Sequence, residues 1–486
     1  MGDRVEVRQV SEFVWEIPRS GEMRVPGRIY GDRALIDQLL AGQQKAREWN
    51  ALLQVRNVAC LPGIQNYSLA MADIHPGYGF PIGGVGAFDM KDGVVTVAGV
   101  GFDCNCGVRA LVAPLARAEV EKIKAELAEA LFRGVPAGLG SEGDFRLNRT
   151  EIDDVLTSGA EFPVRRGYGT EADLEYIEER GCVRGADPAR VSDRAKDRQF
   201  RQVGTLGSGN HYLEVQYVDE VYDGEAARAL GIACDAVLVS IHTGSRALGH
   251  QIGTDYLPKL KAASRKYDLP VREQELVCAP IESPEGREYL SAVFCGINCA
   301  FANRQAISHL ARRCFAGVFG IAPESIRVLY DVGHNTAKLE RHRVGGVEKT
   351  LLVHRKGATR AFPAKSPGLP AAYRAVGQPV LVGGTMGTCS YILTGTEKGM
   401  AETFGSAVHG AGRLKSRTQA MREYRAERVI GELRARGIIV KAHSMAGTAE
   451  EAPGAYKDVT QVVDVMEGAG VNKKVARLRQ LICIKG

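Results

Sequence analysis

Ala236-Val-Leu-Val-Ser240-Ile-His242-Thr243-Gly244-Ser245-Arg246 begins as an apolar run of β type and stops on a histidine, a glycine and an arginine. A short apolar run rich in β-branched side chains reads as a buried strand, and strands buried on both faces belong to sheets covered by helices. The pattern recurs outward from this stretch. Ile326–Tyr330 runs into Asp331-Val-Gly-His334-Asn335, and Pro379–Val382 runs into Gly383-Gly384-Thr385-Met386-Gly387-Thr388-Cys389-Ser390-Tyr391. Further β-type runs lie at Val94–Val100, Val108–Val112 and Ile438–Val440. Between the runs, the spacing of apolar residues predicts helices over Val120–Leu131, Asp255–Tyr267, Gly286–Ala311 and Ser416–Arg436. Gly345-Gly346 supplies the turn of a β-ribbon at Arg341–His354. The chain therefore reads as one large mixed α/β (α+β) unit over residues 1–486, with the polar stretch Gly140–Pro188 as the best candidate for a surface insertion.

Composition narrows the function classes. Of 486 residues, 45% are hydrophobic and 25% charged, close to the globular average, and the net charge is +6. A mildly basic chain is compatible with a polyanionic partner without requiring one. Glycine, at 57 residues, is in excess, as expected where backbone turns tightly or approaches a ligand. No apolar run has the length of a membrane span and the N-terminus has no signal-peptide core, so a cytoplasmic protein is expected, with no membrane partner. Eleven scattered cysteines form no disulfide framework.

The chemistry-bearing residues gather at the ends of the apolar runs. Asp103 and Cys106, in Gly101-Phe-Asp-Cys-Asn-Cys-Gly-Val-Arg109, can bind one divalent ion, or the sulfur can bridge two. Taken alone that spacing is a weak signal, which a buried thiol also explains. His211 in Gly207-Ser-Gly-Asn210-His211-Tyr-Leu-Glu214, His242 and His334 place three of the ten histidines at the ends of separate strands. Strand ends can converge, and the combined set suggests a two-metal centre bridged by Cys106. The carboxylate and imidazoles suit Mn²⁺, while thiolate favours Zn²⁺ in raw affinity. The Gly383–Tyr391 segment reads as a backbone cradle for phosphate or a base edge, or simply as a glycine-rich turn. In Phe404-Gly-Ser-Ala-Val-His409-Gly410-Ala411-Gly412-Arg413, small neighbours leave His409 open to a bulky electrophile, and Arg413 and Arg417 offer phosphate-binding charge; a glycine-capped turn before a solvated basic helix start explains the segment alone equally well. A P-loop and a Rossmann fingerprint are both absent from the sequence.

Together these motifs, with Asp73-Ile-His-Pro-Gly-Tyr-Gly-Phe-Pro-Ile-Gly-Gly and Met-Gly-Thr-Cys-Ser-Tyr, resemble the RtcB-type RNA-splicing ligases, from about Pro62 to Gly486. The resemblance implies a mixed α/β fold with stacked β-sheets flanked by helices. It implies an RNA ligase of tRNA splicing or RNA repair that joins 2′,3′-cyclic-phosphate or 3′-phosphate ends to 5′-hydroxyl ends, using GTP and two Mn²⁺ ions. Carried over by motif, Asp103, Cys106, His211, His242 and His334 would hold the metals, and His409 would be the guanylylated histidine. Guanosine would lie near Asn210, His211, Tyr212, Leu213 and Glu214, near His334 and Asn335, and along Gly383, Gly384, Thr385, Met386 and Ser390. His409, Gly410, Ala411, Gly412, Tyr456 and Lys485 would complete that pocket. Asp73 is the candidate for fixing the His409 tautomer. Arg109, Arg246, Arg413 and Arg417 are candidates for holding RNA phosphates. The implied partners are RNA, with tRNA halves among the substrates, and an archease helper protein; the chain is expected to be a monomer. Two positions depart from the family pattern: Thr385 stands where serine is usual, and Cys104 where an apolar residue is usual. The competing class is a two-metal phosphoesterase acting on RNA termini. A non-catalytic RNA-binding module would need aromatics interleaved with basic runs, which a 7% aromatic content does not supply.

Overall fold

In a computed structural model, residues 4–43 and 50–486 are described. The fold is mixed α/β, built on two large sheets. In the larger, the strand order is Arg327–Gly333, Gly107–Ala116, Ala236–Thr243, Tyr212–Val221, Asn472–Lys485, Cys389–Gly395 and Pro379–Val382. Ile439–Ala442 pairs in parallel with the strand Asn472–Lys485. The second sheet runs Arg8–Ser11, Val14–Ile17, Gly27–Tyr30, Ser68–His75, Ile82–Asp89, Val347–Lys356 and Asn335–Val344. One apolar cluster joins the two: Leu69, Met71, Val85 and Val353 pack with Val380, Val382, Tyr391 and Leu393 and with helix Val459–Gly468. The expected ribbon is the hairpin Asn335–Val344/Val347–Lys356, paired from Asn335↔Lys356 to Val344↔Val347, with both turn glycines in the left-handed region.

The helix Pro284–Phe319 is the main internal scaffold. Ser283 caps it, its hydroxyl accepting from Gly286 N; Pro284 occupies the first turn, where no N–H is needed, and Gly320 ends it at φ 68°. Its buried positions go well beyond one stripe and include Asn298, Asn303, Arg304, Gln305 and Arg312. A helix with this much buried polarity must satisfy it internally; Asn303 and Arg304 tie down loops around the site, and Asn298, Gln305 and Arg312 hold the segment between Leu156 and Val183.

Three expected secondary-structure elements change. Val94–Val100 is a strand only to Thr96; there the Thr96 hydroxyl accepts from Ala98 N and caps a helical turn, Val97–Val100. Ser416–Arg436 is two helices, Arg417–Glu423 and Ala426–Ala435, because Tyr424 and Arg425 take extended backbone. Asp255–Tyr267 is the second half of a helix that starts at Arg246 and carries Pro258 inside it. The stretch Gly140–Pro188, expected as an insertion on the surface, sends Phe145, Ile152, Val155, Leu156 and Phe162 into the largest apolar cluster. Its Asp173 and Glu178 form buried ion pairs with Arg312 and Lys338, while most of its other charged side chains stay on the surface.

Candidate active site

Four neighbouring strands explain why residues distant in sequence meet. Gly107 pairs with both Gly333 and Thr243, and Tyr212 pairs with His242, all antiparallel. Antiparallel pairing sets the start of one strand beside the end of the next. The residues just before Gly107 and Tyr212 therefore adjoin those ending Ala236–Thr243 and Arg327–Gly333. Asp103, Cys106, His211, His242 and His334 come together at that edge.

They form two donor sets that share one sulfur: Cys106, His242 and His334, and Asp103, Cys106 and His211, each with its ligand atoms within 4.8 Å of one another. His211 donates from Nδ1 to Leu206 O (3.0 Å) and His242 from Nδ1 to Asn210 O (3.0 Å), so both leave Nε2 bare. His242 Nε2 then faces Cys106 Sγ at 3.3 Å and His334 Nε2 at 3.2 Å, while His211 Nε2 lies 2.9 Å from Asp103 Oδ2 and 3.4 Å from Cys106 Sγ. Lone pairs and a thiol converging this closely fit one or two cations between them. Burial, reinforced by the neighbouring imidazoles, pushes His242 and His334 well below the usual histidine range, and burial raises the Cys106 thiol. The lowered values keep the imidazoles neutral, the form that ligates metal, whereas the Cys106 thiol has to give up its proton to ligate. Burial opposes ionisation of Asp103, but the contact with His211, with smaller contributions from Cys106 and Arg246, holds its carboxyl below the ordinary value.

The central helix fixes these loops. Arg304 donates to Asn105 O (2.7 Å) and Thr243 O (2.9 Å) and pairs with Asp331. Asn303 donates to Thr205 O and Gly244 O, and accepts from Gly204 N and Thr205 N. At Gly244 a Cβ would stand 2.5 Å from the Asp103 carboxylate, so only glycine leaves that ligand in place.

His409 sits beside the metal donors, its ring centroid 4.9 Å from that of His334. The buried Asp73 accepts from His409 Nδ1 at 2.6 Å and from the His409 backbone N–H at 3.0 Å, both on Oδ2. With its proton on Nδ1, the ring carries its free lone pair on Nε2.

His409 and the donors Asp103, Cys106, His242 and His334 line a cavity of about 440 Å³, whereas His211 and Asp73 lie behind its wall. Of the residues expected around a nucleotide, Asn210, Tyr212, Glu214, His334, Asn335, Gly383, Gly384, Thr385, Met386, Gly410, Ala411, Gly412, Tyr456 and Lys485 line it. Glu214 is held by Gln480 (2.9 Å) and Gln216 (2.8 Å), and burial raises its carboxyl to about 7. The Thr385 hydroxyl lies 3.3 Å from that of Thr388. Leu213 instead points into the core of the larger sheet, as the alternation of a strand between Tyr212 and Glu214 requires. Ser390 stands behind the cavity wall, where its hydroxyl accepts from Gly384 N and Gln216 Nε2.

The four arginines divide. Arg109 is fully buried, paired with Asp331 at 2.7 Å and bonded to Gln305, so it does not reach an RNA phosphate. The odd positions of that strand face the central helix, which turns Arg109 away from the strand-end site. Arg246 donates to Thr205 Oγ1 beside the Asp103 loop. Arg413 lines the cavity, bonded to Glu451 (3.0 Å) and Tyr456 (2.7 Å), and Arg417 lines it while pairing with Glu450. Cys104 is a buried thiol raised by burial to about 12, outside both donor sets.

Sequence reasoning did not single out Glu451 or Lys356, both of which line the cavity. Lys356, at the base of the ribbon, donates to Tyr78 O, and burial pushes its ammonium down to about 7. Its signal was a lysine ending an apolar strand, Leu351-Leu-Val-His-Arg-Lys356.

Fold and site together describe an α/β protein in which strand ends of one sheet carry two donor sets able to hold cations, beside a carboxylate-held histidine. The family model for tRNA-splicing ligase RtcB matches residues 54–486. The chain is 52% identical over 489 residues to the tRNA-splicing ligase RtcB of Thermococcus kodakarensis, covering 100% of both chains. It is 48% identical to that of Methanococcus maripaludis and 49% to that of Archaeoglobus fulgidus, each over 99% of both chains. The chain belongs to the RtcB family. Among the described residues no helix is long and apolar enough to cross a membrane.

Proposed function

We propose that this chain is a GTP-dependent RNA ligase that joins 2′,3′-cyclic-phosphate or 3′-phosphate ends to 5′-hydroxyl ends through a covalent His409–GMP intermediate, in tRNA splicing or RNA repair. The observation that carries the reading is the Asp73–His409 pair opening into the same cavity as two donor sets that share Cys106. Family membership supports the ligase class.

Two divalent ions, read as Mn²⁺ and held by Asp103, Cys106, His211, His242 and His334, would neutralise phosphate charge and polarise the reacting P–O bonds. The other steps fall to the chain's own groups. Asp73 keeps the His409 proton on Nδ1, so that Nε2 attacks the α-phosphorus of GTP; an Nε2–P bond forms, the Pα–O bond breaks and pyrophosphate leaves. The Asp73 carboxylate offsets the positive charge that develops on the ring. Water opens a cyclic phosphate by breaking its P–O2′ bond. An oxygen of the resulting 3′-phosphate then attacks the guanylyl phosphorus; the P–N bond breaks, His409 is restored, and the RNA ends in a 3′–5′ pyrophosphate to guanosine. The 5′-hydroxyl attacks the 3′-phosphorus, its proton passes to solvent, GMP leaves and a 3′,5′-phosphodiester forms. Glu214 would accept from guanine N1–H and the 2-amino group, with Tyr456 and Lys485 at the same end of the cavity. Arg413 and Arg417 would meet phosphates. A monomeric chain is part of this reading.

The test is incubation with GTP labelled at the α-phosphate and Mn²⁺, followed by ligation of cyclic-phosphate RNA to 5′-hydroxyl RNA. An acid-labile GMP adduct and a joined product are expected. A protein that trims RNA termini without acquiring GMP is instead a two-metal phosphoesterase.

A further inference from the structure

Asp73 lies in an irregular part of its strand. Ser68–His75 pairs with Ile82–Asp89 at Leu69↔Val85 and Ala70↔Gly84, and the register resumes only at His75↔Ile82. Pairing with Gly27–Tyr30 on the other side also ends at Ala70. Five steps along one strand therefore stand against two along its partner. Such a bulge re-aims side chains, here turning the Asp73 carboxylate onto His409, but it takes buried carbonyls out of the ladder. Those carbonyls need donors.

Lys457 supplies them. Its ammonium donates to Ile74 O at 2.5 Å and Ala72 O at 3.2 Å, the two carbonyls that flank Asp73. Its backbone N–H donates to Gly412 O at 2.9 Å, so one residue ties both the Asp73 bulge and the loop that follows His409. The two segments are close: a Cβ on Gly412 would stand 2.3 Å from Asp73 O. His75 completes the clamp by donating from Nδ1 to Asp73 O at 2.9 Å. Burial lowers the Lys457 ammonium to about 8, while the charges of Asp73 and Asp32 act to keep it protonated.

We propose that Lys457 is a positioning residue for the guanylylation step: by holding the carbonyls on either side of Asp73, it fixes the carboxylate that sets the tautomer and aim of His409. This rests on the ligase reading above. It predicts an effect confined to the step in which His409 is the nucleophile, because joining an already guanylylated RNA end does not need that residue.

The experiment uses the full chain with Lys457→Met, which keeps the length of the side chain and removes its donors. His409–GMP formation should fall by on the order of 10- to 100-fold, as expected for a displaced reacting group. Joining of a pre-guanylylated RNA end should stay within about threefold on the same reasoning. In an Asp73→Asn background the same substitution should add less than about twofold, since coupled residues are not additive. Equal losses in both steps, undiminished GMP formation, or full additivity with Asp73→Asn would each overturn the proposal. If the Met variant is insoluble, Lys457→Gln, whose amide can donate to one carbonyl, should show a smaller loss of the same selectivity; wild-type GMP formation in that variant overturns the proposal. A wild-type chain that acquires no GMP overturns the ligase reading instead.

Discussion

Asp73 Oδ2 accepts two hydrogen bonds from one residue, 2.6 Å from His409 Nδ1 and 3.0 Å from the His409 backbone nitrogen. The carboxylate thus fixes the place, orientation and tautomer of the ring. In Asp73→Asn an amide NH₂ can face Nδ1, which moves the ring proton to Nε2 and blocks the lone pair that would attack. An aspartate-to-asparagine change behind a serine-protease histidine costs about 10⁴ in kcat. A loss of about 10²- to 10⁴-fold in GMP–protein formation is expected here, measured by single-turnover labelling from GTP, with the fold unchanged by circular dichroism.

His409→Ala removes the nucleophile while leaving the metal donors intact. It should abolish the acid-labile GMP adduct and the ligation of cyclic-phosphate ends, with Mn²⁺ and GTP binding retained in weaker form. Joining of an RNA end that already carries the guanylyl group should survive, because that step rests on positioning. A His409→Ala protein that still takes up GMP would move the nucleophile to another residue.

Cys106 belongs to both donor sets and Cys104 to neither. Cys106→Ala should therefore lower Mn²⁺ stoichiometry at both positions, whereas Cys104→Ala should bind about as wild type. Metal content after dialysis, read by atomic emission, decides it; full occupancy in a folded Cys106→Ala protein contradicts the shared-ligand arrangement.

The buried carboxylate Asp331 carries both Arg109 (2.7 Å) and Arg304 (2.8 Å), and all three side chains are inaccessible to solvent. Removing it leaves two guanidinium groups without their anion in the interior. Asp331→Ala should cost about 3–5 kcal/mol in denaturant unfolding. Because Arg304 also holds Asn105 O and Thr243 O, metal affinity should fall with it.

The strand-end logic was legible because it depends on local pattern alone: apolar runs stopping at His242 and His334 predict both the strand and the chemistry at its end. The donors before Tyr212 and Gly107 join them through antiparallel pairing, a long-range fact that no local pattern carries. Arg109 shows the limit from the other side. Its motif is chemical, but strand alternation turns the side chain toward Asp331, and neither the alternation's phase nor the partner is visible in nine residues. Gly140–Pro188 carries exposed charges over an apolar face that includes Phe145, Val155 and Phe162, and among its charges Asp173 and Glu178 are paired inside with Arg312 and Lys338; composition does not distinguish a paired charge from a solvated one. Lys457 was hidden for a related reason: its role depends on a strand bulge almost 400 residues away in sequence.

Glu214 joins stability to recognition. Burial raises its carboxyl to about 7 from an ordinary 4.5, with Gln480 and Gln216 donating to it. Between those values the folded chain holds a proton that the unfolded chain has released, so this group's contribution to stability is fully present below 4.5 and is lost as pH rises through about 7. A shift of that size corresponds to at most about 3 kcal/mol. Glu214→Gln removes the titration. The variant should gain stability relative to wild type as pH rises from about 4.5 to 7 and keep that advantage above it, measured as denaturant midpoints across the range. The same substitution should cost guanine selectivity, since the amide offers guanine N1–H and its 2-amino group only one acceptor, and a site built to pair with such groups discriminates by up to about 10⁴-fold. GTP-over-ATP preference in adduct formation is the readout. A Glu214→Gln protein that keeps its full preference for GTP while showing the stability change would leave Glu214 a buried acid of the sheet, with guanine read by other groups.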